Sequence, residues 1–140
     1  MKSDSQKGFS LIEMLVVVAI VGIIASICIP YLKKAVNIAE DGNVFATTKI
    51  IAQEQVAFFS QNNRYARLDE INLARNGAFG TTIGNTIRRG KFTFTMSPPS
   101  PDNTTLKYDY TIIATRTIDA VDVPYQITVS ADGAITQLIP

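Results

Sequence analysis

Three hydrophobic patterns follow one another along the chain. From Phe9 to Leu32 the residues are almost continuously apolar, centred on the run Met14-Leu-Val-Val-Val-Ala-Ile-Val-Gly-Ile-Ile-Ala-Ser-Ile-Cys-Ile29. About 20 such residues in a helix cross the ~30 Å hydrocarbon core of a bilayer. Only a helix satisfies the backbone of a single span there. The pattern therefore predicts a membrane-crossing helix. From Lys33 to about Asn62 the continuous run becomes a stripe. Val44, Ile51 and Phe58 recur at sevenfold spacing, flanked by Phe45, Ala52, Val56 and Phe59, with Lys49, Gln53 and Glu54 among the polar positions. This is one apolar face of a helix, and it needs a cover. Gly42 weakens that helix and marks a candidate bend. Gln61-Asn62-Asn63 offers an exit, because asparagine tolerates the left-handed conformation.

Beyond Asn63 the period changes again. Residues 64–90 carry helical hints at Leu68, Ile71 and Leu73, then a Gly/Thr/Asn-rich stretch, and read as a connecting loop with one helical turn. Four strands are predicted at Lys91–Met96, Tyr108–Ile112, Pro124–Ser130 and Ala134–Ile139. The last two form a hairpin across Ala131-Asp132-Gly133, since Asp-Gly is a strong turn signal. Alternation gives the sheet one covered and one wet face, and the helical stripe supplies the cover. The prolines of the loop Ser97–Thr105 cannot continue a ladder, so this loop is an exposed connection. The expected fold is α+β: a long N-terminal helical spine, half membrane and half amphipathic, packed on a small antiparallel sheet of about four strands.

Composition narrows the chemistry. The 140 residues suit one small domain plus a membrane segment. Thirteen basic and twelve acidic residues leave a net charge of +1, so no global field recruits nucleic acid. Histidine is absent, which removes the commonest general base and metal ligand. The single cysteine, Cys28, lies inside the apolar run, where it reads as a small hydrophobe and can make no intramolecular disulfide. No metal-loop spacing, phosphate cradle or nucleophile elbow appears. No catalytic, cofactor or metal residue is assigned, and an enzyme is not expected. The one basic cluster, Arg88-Arg89-Gly90-Lys91, reads as solvated loop charge. Weak nucleic-acid adhesion or a contact with an acidic neighbour is its functional alternative, and Asp119 and Asp122 offer an acidic counterpart. Asn103-Thr104-Thr105 spells a glycosylation sequon, a tripeptide that often arises by chance.

Glu13 stands out. A charge centred in a bilayer costs about 2.5–3.5 kcal/mol on insertion scales, and less near the interface. A plain anchor would not carry a carboxylate at the mouth of its apolar run. Immediately before it stands Lys7-Gly8-Phe9-Ser10, where Gly8-Phe9 reads as a cleavage junction. A cut there leaves a positive amine on Phe9, one helical turn from the acid. A secretory signal would instead be cut after the apolar region. Ala25-Ser26 imitates such a site, but the run continues through Ile29 and no Ala-x-Ala pattern precedes Pro30.

The run Lys7-Gly8-Phe9-Ser10-Leu11-Ile12-Glu13 with its apolar tail resembles the class III leader of type IV pilins and pseudopilins. The resemblance implies that a dedicated membrane peptidase cuts after Gly8 and methylates Phe9. It also implies that Glu13 meets the amine of a neighbouring subunit and sets the filament register. Within a single helix the same acid would neutralise its own amine, and both uses stay open. Gly22 and Pro30 fall where family members carry a glycine and a proline. Glycine lowers helix stability by about 1 kcal/mol relative to alanine, and Pro30 clashes with the carbonyl of Ser26. Membrane helices tolerate both as a kink; the resemblance implies that this segment extends on assembly.

The implied organisation is a leader over 1–8, a transmembrane and assembly half of the helix over 9–32, an amphipathic half over 33–63, and a head over 64–140. Implied partners are further copies in a homo-oligomeric filament, the prepilin peptidase/methyltransferase, an inner-membrane assembly platform and membrane lipid before assembly, with nucleic acid weak at most. Lys2 and Lys7 are balanced by Lys33 and Lys34, so charge alone leaves topology open. The resemblance implies a single-pass precursor in the bacterial inner membrane with a cytoplasmic N-terminus, and later a surface pilus. One alternative is a type II secretion pseudopilin in a periplasmic pseudopilus. The major pseudopilins often carry a calcium-binding C-terminal loop, and no convincing equivalent is seen here. Many large pilins carry a C-terminal disulfide loop, which this chain cannot make. A single-span membrane protein with a ligand-binding external domain is a third reading, and it leaves Glu13 unexplained.

Overall fold

The computed structural model describes residues 8–116 and 125–138. Several expectations lie outside them: the leader before Gly8, the acidic pair Asp119 and Asp122, and the outer ends of the last hairpin at Pro124 and Ile139. The chain forms two compact units, Met1–Glu40 and Asp41–Pro140, and one continuous helix, α1 (Leu11–Asn62), runs through both.

In the first unit every described residue from Gly8 to Val36 is exposed. Among the described residues, the apolar side chains from Leu11 to Leu32 therefore have no cover. By length and composition this helix can cross a membrane. It passes through Gly22 and Pro30 without a break.

The second unit contains residues 41–62 of α1, a short helix α2 (Leu68–Ala74) and six strands. These are β1 (Thr81–Ile83), β2 (Thr86–Arg89), β3 (Phe92–Met96), β4 (Thr111–Arg116), β5 (Tyr125–Ser130) and β6 (Ile135–Leu138). The sheet is antiparallel in the order β1-β2-β3-β4-β5-β6, so each strand pairs with its neighbour in the chain.

Six strands replace the expected four because the Gly/Thr/Asn-rich stretch is itself a hairpin. β1 and β2 are joined by Gly84-Asn85, with Gly84 at φ +58°, and β2 and β3 by Gly90-Lys91, with Gly90 at φ +60°. A glycine at the first central position is what a two-residue hairpin turn favours. The strand expected at Tyr108 begins only at Thr111. Before it, Thr105–Lys107 forms a 3-10 turn that drives Leu106 fully into the core and leaves Tyr108 exposed. The predicted turn at Ala131-Asp132-Gly133 is present, with Gly133 at φ +81°. There Asp132 Oδ1 accepts from Ser130 Oγ at 2.6 Å and from the Ala134 amide at 2.9 Å.

The core gathers Val44 and Ile51 of α1, Leu68 and Ile71 of α2, and the inward row Ile87, Phe92, Phe94, Met96, Ile112, Ala114, Ile127 and Val129. Of the predicted stripe, Phe58 and Ala52 are half-buried against this core. Phe45 and Val56 are not on the buried face, and Val56 is 65% exposed. Thr48 and Gln55 take the buried positions, completing a 44-48-51-55 face at helical spacing. Thr48 satisfies its hydroxyl on the Val44 carbonyl at 2.9 Å. Gln55 donates to the Ala66 carbonyl and accepts from the Ala66 amide, both at 2.8 Å. It thereby fixes the returning chain just after α1 ends, where Asn63 takes φ +55°.

α2 is tied to the sheet by Asn72. Its Nδ2 donates to the Gly80 carbonyl and to Thr82 Oγ1, each at 2.8 Å, and its Oδ1 accepts from the Phe79 amide at 3.1 Å. Gly80 has φ +139°, and a Cβ there would lie 2.4 Å from the Arg88 carbonyl oxygen, so only glycine fits.

Candidate functional site

The chemistry predicted for the N-terminus gathers at the start of α1. Gly8, Phe9 and Ser10 precede the helix, carry no regular structure and are exposed; Phe9 is 83% accessible. The Gly8–Phe9 peptide therefore lies outside the helix. The helix begins where it does for a local reason. Glu13 Oε2 accepts from the Ser10 amide at 2.7 Å, and the Ser10 carbonyl accepts from the Met14 amide at 3.2 Å. Ser10-Leu11-Ile12-Glu13 has capping-box spacing, in which the glutamate reaches back to the N-cap amide. Its charge also faces the positive end of the helix dipole. Phe9 adjoins Ser10, so an amine freed on Phe9 lies one residue from the group that the carboxylate already holds. Phe9, Ser10 and Glu13 thus come together. Gly22 and Pro30 lie further along α1 and are not part of this cluster.

Ser10 was not singled out from sequence, although the Ser-x-x-Glu spacing is a readable signal. Arg116 was also missed. It is 4% exposed on the core side of β4, forms an ion pair with Asp41 at 2.7 Å and sits over the Phe92 ring at 5.3 Å. The alternation Ile112-x-Ala114-x-Arg116 points it inward, but a charge at the end of such a run reads as the strand's exit.

Half of the basic cluster is strand rather than loop, and Gly90-Lys91 is the turn that follows it. Arg88 and Arg89 belong to β2. Arg89 is engaged, donating to the Ala78 carbonyl at 2.9 Å and to Asn43 Oδ1 at 3.3 Å. The proline loop is likewise pinned. Arg67 donates to the Pro101 carbonyl at 3.3 Å and to Asn103 Oδ1 at 2.8 Å, while Asn85 donates to Ser100 Oγ at 2.6 Å. Pro101 is buried.

Glu70 and Tyr110 are among the titratable groups of the second unit whose pKa values are shifted. The Arg64 guanidinium, bonded to Glu70 at 2.6 and 2.9 Å, holds the Glu70 carboxyl below its ordinary range. Burial opposes this, and a bond from the Arg67 amide adds to it. Burial, followed by smaller contributions from Tyr65 and from the carboxylates of Asp109 and Asp132, pushes the Tyr110 phenol up to about 12. Both groups are structural. Among the described residues no three His, Cys, Asp or Glu side chains gather in a metal-binding cluster.

Comparison with known proteins converges on the same end of the chain. Residues 3–29 match the family described as the prokaryotic N-terminal methylation motif. Over 80 residues the chain is 38% identical to the type IV major pilin protein PilA of Myxococcus xanthus (strain DK1622). The match covers 55% of this chain and 36% of that relative, so the chain spans about a third of the curated relative's length. No solved structure matches the chain.

Proposed function

We propose that this chain, a member of the type IV pilin and pseudopilin family, is a filament subunit made as a membrane-held precursor, cut between Gly8 and Phe9, methylated on the Phe9 amine and then polymerised. The observation that carries this reading is the coincidence at one helix end of the methylation motif, an exposed non-helical Gly8–Phe9 junction and the Glu13 carboxylate. Residues 1–8 are then the leader, 9–32 the membrane and assembly half of the helix, 33–63 its amphipathic half and 64–140 the head. The partners are copies of the same chain, the peptidase/methyltransferase, the inner-membrane platform and, before assembly, lipid. The N-terminus of the precursor is cytoplasmic.

The energetics favour a polymer. At roughly 25 cal/mol per Å² of apolar surface kept from water, an uncovered helix such as Leu11–Leu32 belongs either in lipid or among its own copies. Subunits related head to tail by a rotation that does not close form a helical fibre. Glu13 serves both states. In the single chain its carboxylate caps its own helix. In the filament it neutralises a Phe9 amine, and the correct axial offset is the one that leaves no buried charge unpaired.

The intact mass of the cell-envelope form tests this. The expected mass lacks Met1 to Gly8 and carries about one added methyl group; an uncut chain rejects the reading. A Glu13→Ala chain should still be cut but should enter filaments poorly, and wild-type incorporation would remove the register role. The pilus reading is favoured over the type II secretion pseudopilus by the relative's description as a major pilin. Electron microscopy of sheared surface material separates the two.

A further inference from the structure

Gly42 lies inside the unbroken helix α1, and glycine is the residue that most weakens a helix short of proline. Nothing about packing requires it: no atom lies within 4 Å of where a Cβ would stand. The residues on either side of it, however, are both gripped from the sheet. Asp41 Oδ1 forms an ion pair with Arg116 Nη1 at 2.7 Å, and Asn43 Oδ1 accepts from Arg89 Nη2 at 3.3 Å. The two arginines stand in one cross-strand row, Arg89↔Phe92↔Arg116, with the Phe92 ring between them. Arg116 is stacked over that ring, and Arg89 is braced on the Ala78 carbonyl.

This arrangement is costly for a mere filler. A hydrophobe at 116 would continue the inward series Ile112, Ala114 and would spare the desolvation of a charge. The attested return on a buried ion pair is the selection of one arrangement over others. We infer that the Arg89–Arg116 row is a clamp on a built-in weak point of α1: closed, it keeps the helix wound through Gly42; released, residues 41–46 open locally while the sheet stays intact. This is independent of leader processing. It also separates the two glycines of α1, because Gly22 has no such grip: every residue around it is exposed.

Hydrogen exchange read by mass spectrometry on the full chain in detergent micelles tests the clamp. In Arg116→Met, which keeps length and loses charge, amides 41–46 should exchange about tenfold faster or more, with β3 and β4 unchanged. Adding Gly42→Ala to Arg116→Met should restore most of the protection, because the weak point is then gone. Arg89→Gln, at a partly exposed position, gives the same readout should Arg116→Met fail to fold. Wild-type exchange over 41–46 in these variants, equal acceleration across β3 and β4, or no recovery with Gly42→Ala would each overturn the clamp.

Discussion

Gln55 stands where the helical stripe asks for a hydrophobe, and its side chain behaves as a length of backbone. It offers one donor and one acceptor to the two main-chain groups of Ala66, which would otherwise be buried without partners. Gln55→Leu has a suitable volume but leaves both groups unpaired. It should lower stability by about 2–4 kcal/mol, read as a shift of the urea midpoint without a change in slope. Such residues are hard to see in a sequence. Glu13 stands out in the sequence because a carboxylate beside a membrane-grade run is anomalous wherever it occurs. Gln55 and Arg116 look like ordinary surface positions until Ala66 and Asp41 arrive beside them, and nothing local announces those partners.

At the scale of elements, α2 begins on a cap with a charge network behind it. Glu70 accepts from the Arg67 amide and from both Arg64 nitrogens, joining the exit of α1 to the entry of α2. Its folded pKa is held below the ordinary value of 4.5. The stabilisation is therefore complete above that value and is lost as pH falls through the folded pKa. Urea midpoints measured downward from pH 6 should drop on the acid side, and Glu70→Gln should flatten that part of the profile. A slope unchanged by the substitution would assign the acid sensitivity elsewhere. Elements were legible wherever hydrophobic period spoke: α1, β3, and the β5–β6 turn with its Asp-Gly. The β1–β2 hairpin was not, because Thr81, Thr82, Thr86 and Gly84 read as loop chemistry. Threonine packs well on a pleated surface, and once the sheet exists those residues become strand. The start of β4 was misplaced for a related reason. Tyr108 and Tyr110 alternate as strand residues do, but Asp102 accepts from Thr105 at two atoms and winds the segment into a 3-10 turn first.

For the whole molecule, the two units treat their apolar surface differently. The first has an uncovered apolar helix, whereas the second closes its own core. The full chain should remain in the membrane pellet through high-salt and alkaline washes and enter solution only with detergent; release by salt alone would argue for a surface-bound helix. The sheet carries a further consequence, one of timing. Every strand pairs with the strand just before it in the chain, and two of the connections are two-residue turns. Contacts between near neighbours close small loops, which costs little entropy and makes for rapid folding. The β1–β2–β3 ladder can form while the C-terminal strands are still being delivered. A chain that emerges from its N-terminus can thus build its sheet in the order in which it appears, and need not wait for its last residue to begin.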